Sequence, residues 1–286
     1  MLSYITWDVD PIIFQIGSVR VGWYGLLLAT GFLLAGTVFY KIAQKEKANI
    51  ALIDKFVIFT MLWTVVGLRI GHCLFYEWGY YKDHILEIFI PFTQTPNGWE
   101  FIGYQGLASH GGTIAIILYV LIFSQRHKVS LVWLLDRLSI AIPIAAAFVR
   151  IGNLMNSEII GTVTTIPWGF VFMHLEGTNE CCEPRHPSQL YEALVYFSLF
   201  AYQIWYYFKK TKGYIPAGRS VGTLLVVIFT ARFFIEFIKA NQVGFEENMA
   251  LNMGQLLSIP FILLGIGFLY YSFTKKTYPT MIRKEK

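Results

Sequence analysis

Between Arg150 and Glu158 the chain places a guanidinium, two carboxamides (Asn153 and Asn156) and a carboxylate within nine positions, directly after Ile140–Val149, a run without charge. A guanidinium is a planar fork that donates paired hydrogen bonds to phosphate or carboxylate oxygens. Fixed donors of this kind stabilise negative charge as it develops on an oxygen. The chemistry these residues suit is therefore recognition and activation of an oxyanion. Gly152 and Gly161 let the backbone turn or approach a ligand closely. Ionisable groups at the edge of an apolar segment are costly in lipid and mark functional sites. The competing account is an interfacial arginine that snorkels to headgroups with Glu158 as its counter-ion. From this stretch alone both accounts stand.

Other groups could join it. Gly103-Tyr104-Gln105-Gly106-Leu107-Ala108-Ser109-His110-Gly111-Gly112 puts a histidine at the start of an apolar run. Histidine titrates near neutral pH and serves as a general base; it also serves as a structural group bonded to a backbone carbonyl. Gly111 and Gly112 leave room for a substrate or for another helix. Arg232 and Glu236 lie at i and i+4, on one face of a predicted helix. Tyr24, in Trp23-Tyr24-Gly25, offers a hydroxyl, while Trp23 suits interfacial anchoring. Arg69 falls inside an apolar run and needs a partner, with Asp54 and Glu77 compatible by charge. His186-Pro187-Ser188-Gln189-Leu190-Tyr191-Glu192 reads as a helix start, with Glu192 in its first turn.

These groups need elements to hold them, and composition says which. Of 286 residues 55% are hydrophobic and 14% charged, and the mean hydropathy is +0.51, which indicates a polytopic membrane protein. The net charge of +5 does not argue for nucleic acid, because the basic residues cluster in short groups between apolar runs. Spans are predicted at about Val21–Ile42, Phe56–Phe75, Ala108–Phe123, Leu131–Val149, Leu190–Phe208, Val221–Ile238 and Leu256–Phe273, each near the roughly 20 residues that a bilayer core requires. Residues 1–17 read as an amphipathic interfacial segment without the basic region or cleavage site of a signal peptide. Fifteen of the 23 Lys and Arg residues flank the ends after spans one, three, five and seven, against five on the other side. The positive-inside rule then puts the N-terminus outside and the C-terminus in the cytoplasm. Residues 157–189, at over thirty residues too long for a bare connection, are expected to form a small outer head within a single integral-membrane domain, 1–286, together with the Trp78–Ile102 segment. Cys73 lies in a span, and Cys181 and Cys182 are adjacent in a polar loop. No Cys/His spacing suggests zinc, no metal or cofactor is expected, and no internal repeat is found.

The motifs resemble those of the prolipoprotein diacylglyceryl transferases. The family signature Gly-Arg-x-Gly-Asn-Phe-x-Asn-x-Glu-x-x-Gly is matched by Arg150, Gly152, Asn153, Asn156, Glu158 and Gly161, with Val149 and Leu154 as apolar departures. Trp23-Tyr24-Gly25, Arg69-Ile70-Gly71, His110-Gly111-Gly112, His186–Glu192, Ala231–Phe237 and Met253–Pro260 match in order as well, in six of the seven expected spans; Ala115 stands at a third small position of the histidine motif. The resemblance implies an all-α inner-membrane enzyme of seven transmembrane helices with a small periplasmic-side domain. It implies transfer of the diacylglyceryl group of phosphatidylglycerol to the lipobox cysteine of a prolipoprotein signal peptide, giving a thioether and glycerol 1-phosphate. In that setting His110, Arg150 and Arg232 are the catalytic candidates. Tyr24, Asn153, Glu158, Gly161, Glu236, Gly111 and Gly112 are the substrate-binding ones, with Glu158 and Glu236 holding the arginines. A free cysteine has a pKa of about 8.5, so the thiol needs a base or a positive field. A transporter or receptor for an anionic solute would use the same arginines, but the inverted repeats common in transporters are not seen. An intramembrane peptidase would need a nucleophile or metal motif, and none is seen.

Overall fold

The computed structural model describes residues 4–17, 19–90, 92–95, 98–101, 108–175, 183–240 and 251–274. Gly103–Leu107, Glu176, Glu180, Cys181, Cys182 and the basic tail from Lys275 lie outside the described residues, as does most of the loop following Lys239. The elements are β1 (Ile5–Trp7), β2 (Ile12–Ile16), β3 (Val19–Gly22), α1 (Trp23–Lys45), α2 (Ile50–Phe75), α3 (Trp78–Tyr81), β4 (Phe92–Thr95), β5 (Gly98–Phe101), α4 (Ser109–Arg126), α5 (Leu131–Met155), β6 (Phe170–Phe172), α6 (Ser188–Trp205), α7 (Arg219–Ile235) and α8 (Met253–Thr274). Among the described residues, five helical stretches are long and apolar enough to cross a membrane: Trp23–Lys45, Ile50–Phe75, Leu131–Met155, Arg219–Ile238 and Met253–Thr274. That is the pattern of a polytopic membrane protein. The other two expected spans are helical, as α4 and α6, but more polar. Ser109, His110, Gln125 and Arg126 flank α4, and Gln189, Glu192 and Gln203 punctuate α6.

The chain is mostly helical but not all-α. Within residues 1–17, expected as an interfacial amphipathic segment, Ile5–Trp7 and Ile12–Ile16 form strands. Here β1 pairs in parallel with β6, and β2 pairs with β3 in a hairpin. The reason is visible in the alternation Ile12, Phe14, Ile16, which has the period of a strand. A third ribbon joins β4 to β5, with Gly98 at φ 113° where the chain reverses.

Contacts divide the chain into two units. The first holds residues 1–46 and 135–278. In it, α7 and α8 meet at Gly222 and Gly265, where an added Cβ would come within 3 Å of the facing backbone; small residues give membrane helices this close approach. Asp136 of α5, fully buried, accepts from the Gly218 and Val221 amides at 2.7 and 2.9 Å. It thereby satisfies donors that the N-terminus of α7 leaves open, with an anion at the positive end of the helix dipole. Beside it, Arg137 donates to Glu46 at 2.7 Å, and Tyr207, in a π-helical turn (Tyr206–Lys210) that continues α6, donates to the same carboxylate at 2.7 Å. A buried ion pair needs such extra hydrogen bonds to offset its desolvation. At its N-terminus α8 is closed by a reciprocal cap: Gln255 N–H donates to Asn252 Oδ1 at 2.9 Å, and Asn252 N–H to Gln255 Oε1 at 3.1 Å.

The second unit, residues 47–134, packs α2 on α4. Gly67 and Gly71 face Gly111, and a Cβ on Gly111 would lie 2.2 Å from the Gly67 carbonyl oxygen. Phe56, Tyr119 and Phe123 stack beyond this crossing. Buried Arg69 donates to the carbonyls of Glu87 and Ile88 at 2.9 and 3.2 Å and to the Tyr81 hydroxyl at 3.1 Å. These are the partners the sequence left open, and they tie the short turns after α2 back onto it. Of the two carboxylates compatible by charge, Glu77 faces His72 at 3.5 Å.

Candidate active site

The helix α5 ends at Met155, and its last turn is held rather than frayed. Trp7 donates from its indole to the Leu154 carbonyl at 3.0 Å, and Glu158 N–H returns to the Asn153 carbonyl at 3.0 Å. Ser157 and Ile159 then adopt φ of 54° and 60°. For a β-branched residue such as Ile159 this left-handed backbone is strained, and it persists only where surroundings enforce it. Gln189 and Ser188, at the start of α6, supply that enforcement by donating to the carbonyls of Glu158 and Ile159 at 2.6 and 2.7 Å. Beneath the turn, Leu154, Phe170 and Phe172 form a buried cluster with Trp7, Ile160 and Leu190.

On this frame the polar groups form a chain. Arg150 donates from Nη1 to Asn153 Oδ1 at 3.3 Å, and Asn153 and Asn156 both donate to Glu158 Oε1, at 3.1 and 3.2 Å. The Tyr24 ring lies where Gly152 lacks a side chain, 2.9 Å from the position a Cβ would take. Arg150, Asn153, Glu158 and Tyr24 thus lie together.

The counter-ion is a correction. Glu158 does not hold Arg150 directly; Glu192 does, with Arg150 Nε 2.6 Å from Glu192 Oε2 and only 1% of the Glu192 side chain exposed. Tyr196, one turn further along α6, interacts electrostatically with the guanidinium. Glu192 falls past the first turn of α6, so it acts as a partner of Arg150 rather than as a complement to the helix dipole. Nor does Glu236 pair with Arg232 at i+4, because α7 tightens into a 3-10 turn at Glu236–Ile238. Glu236 Oε2 instead faces Lys239 Nζ at 3.5 Å, and Gly254 makes room for its carboxyl. Arg232, on the last turn of α7, interacts electrostatically with Tyr196 and Lys239.

Gly161 joins the site through backbone. Its N–H donates to the His186 carbonyl at 2.9 Å, and the next residue, Thr162, donates to the Ile238 carbonyl at 2.9 Å. Three segments therefore run side by side, and Gly161 bridges to Lys239 across them. Burial holds the His186 imidazole below its ordinary pKa. His110, Gly111 and Gly112 belong to the second unit. His110 is exposed on the first turn of α4. Gly111 and Gly112, expected among the substrate-binding residues, face α2: the first meets its backbone and the second the Leu68 side chain. Their lack of a side chain lets two helices touch.

Glu192, Tyr196 and Lys239 were missed as site residues. A signal existed for the first two: Gln189, Glu192, Tyr196 and Gln203 are all buried on one stripe of α6, and polar residues at that spacing on a membrane helix mark an inward face. Lys239 follows the predicted span and read as a loop lysine.

A family model described as prolipoprotein diacylglyceryl transferase matches residues 11–271. A Bacteroides fragilis protein named phosphatidylglycerol–prolipoprotein diacylglyceryl transferase is 41% identical over 278 residues, covering 97% of this chain and 98% of its own length. A Porphyromonas gingivalis protein of the same name is 42% identical over 274 residues, covering 92% and 93%, and one from Tolumonas auensis is 40% identical over 271 residues, covering 94% and 98%. The chain belongs to the prolipoprotein diacylglyceryl transferase family.

Proposed function

We propose that this member of the family transfers the diacylglyceryl group of phosphatidylglycerol to the cysteine thiol of a prolipoprotein lipobox. The observation that carries this reading is the cluster of Arg150, Asn153, Glu192 and Lys239, with Arg232 beside it: fixed cations and amides at the end of an apolar helix. The sulfur attacks the lipid's glyceryl carbon that bears the phosphoester oxygen. A sulfur–carbon bond forms, the carbon–oxygen bond breaks, and the electron pair leaves on the oxygen of glycerol 1-phosphate. The thiol proton goes to a base, for which His110 is the candidate. Arg150 and Arg232 offset the charge that grows on the leaving phosphate. Asn153 orients the headgroup, Tyr24 offers it a hydroxyl, and Glu158 fixes the amides. The test is direct. Purified protein, phosphatidylglycerol and a lipobox peptide should together release glycerol phosphate, and no release would refute the activity.

A headgroup held by charge makes a further prediction. Phosphatidylethanolamine is expected not to replace phosphatidylglycerol as donor when each is assayed in the same micelles. Equal turnover with both would count against this recognition.

The same reading places the enzyme in the bacterial inner membrane with seven spans, α4 and α6 included, the N-terminus outside, and residues 157–189 as an outer-side head. Reporter fusions after Lys212 should report the cytoplasm, and fusions within Cys181–Arg185 the outside. The reverse pattern would put the Arg150 cluster on the wrong face for secreted precursors.

A further inference from the structure

Lys239 follows the 3-10 turn that ends α7, and only 3% of its side chain is exposed. Its ammonium lies 3.8 Å from Glu192 Oε1 and 3.5 Å from Glu236 Oε2. Those separations give attraction without a close hydrogen bond. Glu192 is shared, because its other oxygen takes Arg150 at 2.6 Å. Arg232, nearby, has no ion-pair partner among the described residues. A buried lysine with three donors and, among the described residues, no acceptor closer than these two carboxylates is an arrangement that a further anion would complete.

We propose that Lys239 is a third phosphate-directed cation of the transfer site, and that Glu192 is the positioning residue that holds Arg150 and Lys239 apart and aimed at one ligand. The inference deepens the transfer reading and rests on it. The groups facing Lys239 are Glu192 from α6, Glu236 from its own turn, Arg150 from α5 and Arg232 from α7. Burial, with help from the two arginines, pulls the lysine below its ordinary pKa, and the two carboxylates oppose this. The ammonium is present below that pKa and is lost as pH rises through it. Activity that needs the charge therefore falls on the alkaline side, earlier than for an ordinary lysine. An arginine at the same place stays charged throughout.

The experiment measures glycerol phosphate release from phosphatidylglycerol and a lipobox peptide across pH, for the wild type, Lys239→Arg and Lys239→Gln. Lys239→Gln should lower kcat/KM for phosphatidylglycerol about a hundredfold. Lys239→Arg should stay within about tenfold of the wild type near neutrality and move the alkaline limb to higher pH. An unmoved limb in Lys239→Arg, or near-wild-type turnover in Lys239→Gln, would overturn the assignment. Should Lys239→Gln fail to accumulate in membranes, the Lys239→Arg profile decides alone. A wild type that releases no glycerol phosphate counts against the transfer reading instead. Phosphatidylglycerol binding to wild type and Lys239→Gln then decides the role of Lys239 separately, equal affinities counting against it.

Discussion

Arg150→Lys is expected to lose about a hundred- to a thousandfold in transfer rate, the typical cost of removing one donor from a fixed anion site, about 2.7–4 kcal/mol, while the protein still accumulates in the membrane. The structure shows why charge alone is insufficient. The Arg150 guanidinium meets Glu192 through Nε at 2.6 Å and Asn153 through Nη1 at 3.3 Å, and it interacts electrostatically with Tyr196. Contacts at two different nitrogens orient the fork, so its remaining N–H groups have a set direction. A lysine ammonium is a point donor on a flexible stem; it keeps the pairing with Glu192 but has no plane to orient. A snorkelling anchor would tolerate the exchange, because lysine snorkels as arginine does. The measurement is glycerol phosphate release at matched membrane abundance. Near-wild-type release would remove Arg150 from the chemistry and leave Arg232 and Lys239 as the cations of the site.

Gly161→Ala is expected to be nearly as damaging, although no side chain is lost. The new methyl would sit 2.5 Å from His186 Cβ, 2.6 Å from the His186 carbonyl oxygen and 2.7 Å from that of Ile238. Two of these three contacts are with backbone, so the three segments that Gly161 holds together must part. The Ile238 segment carries Lys239 directly into the site. Displacing a positioning element by about 1 Å costs roughly a hundredfold in rate, and overpacking adds about 1–3 kcal/mol of destabilisation. The matching control is Gly267→Ala in α8, where an added Cβ meets nothing within 4 Å. There alanine should be neutral or stabilising by about 0.5–1 kcal/mol, since glycine weakens a helix interior by that amount. Activity and thermal stability of the two variants, measured together, check the claim. Equal behaviour would show that crowding at Gly161 does not matter.

Much of this molecule was legible in its sequence, and the reasons are local. Long apolar runs bounded by Lys and Arg specify membrane helices because the bilayer leaves the backbone no other partner. Arg150, Asn153 and Glu158 lie within nine positions of one another, so their spacing already suggested a shared site. Strands in residues 5–22 were harder, since a short apolar alternation pairs only when a distant partner such as Phe170–Phe172 is in reach. What the sequence could not decide was which charge answers which. Glu158 is eight residues from Arg150 and Glu192 is forty-two away, yet Glu192 holds the guanidinium, because α6 packs its buried stripe toward it. Glu236 sits one helical turn from Arg232 but faces Lys239, because the helix tightens there. Gly111, beside a histidine, reads as space for a substrate or for another helix, and its missing Cβ is used by the Gly67 backbone. Residue types and spacings along one helix determined the kind of chemistry and the membrane setting. The pairing of charges and the use of each glycine were decided by which helices touch, since a buried charge takes the counter-ion that packing brings within a few ångströms, whatever its distance along the chain.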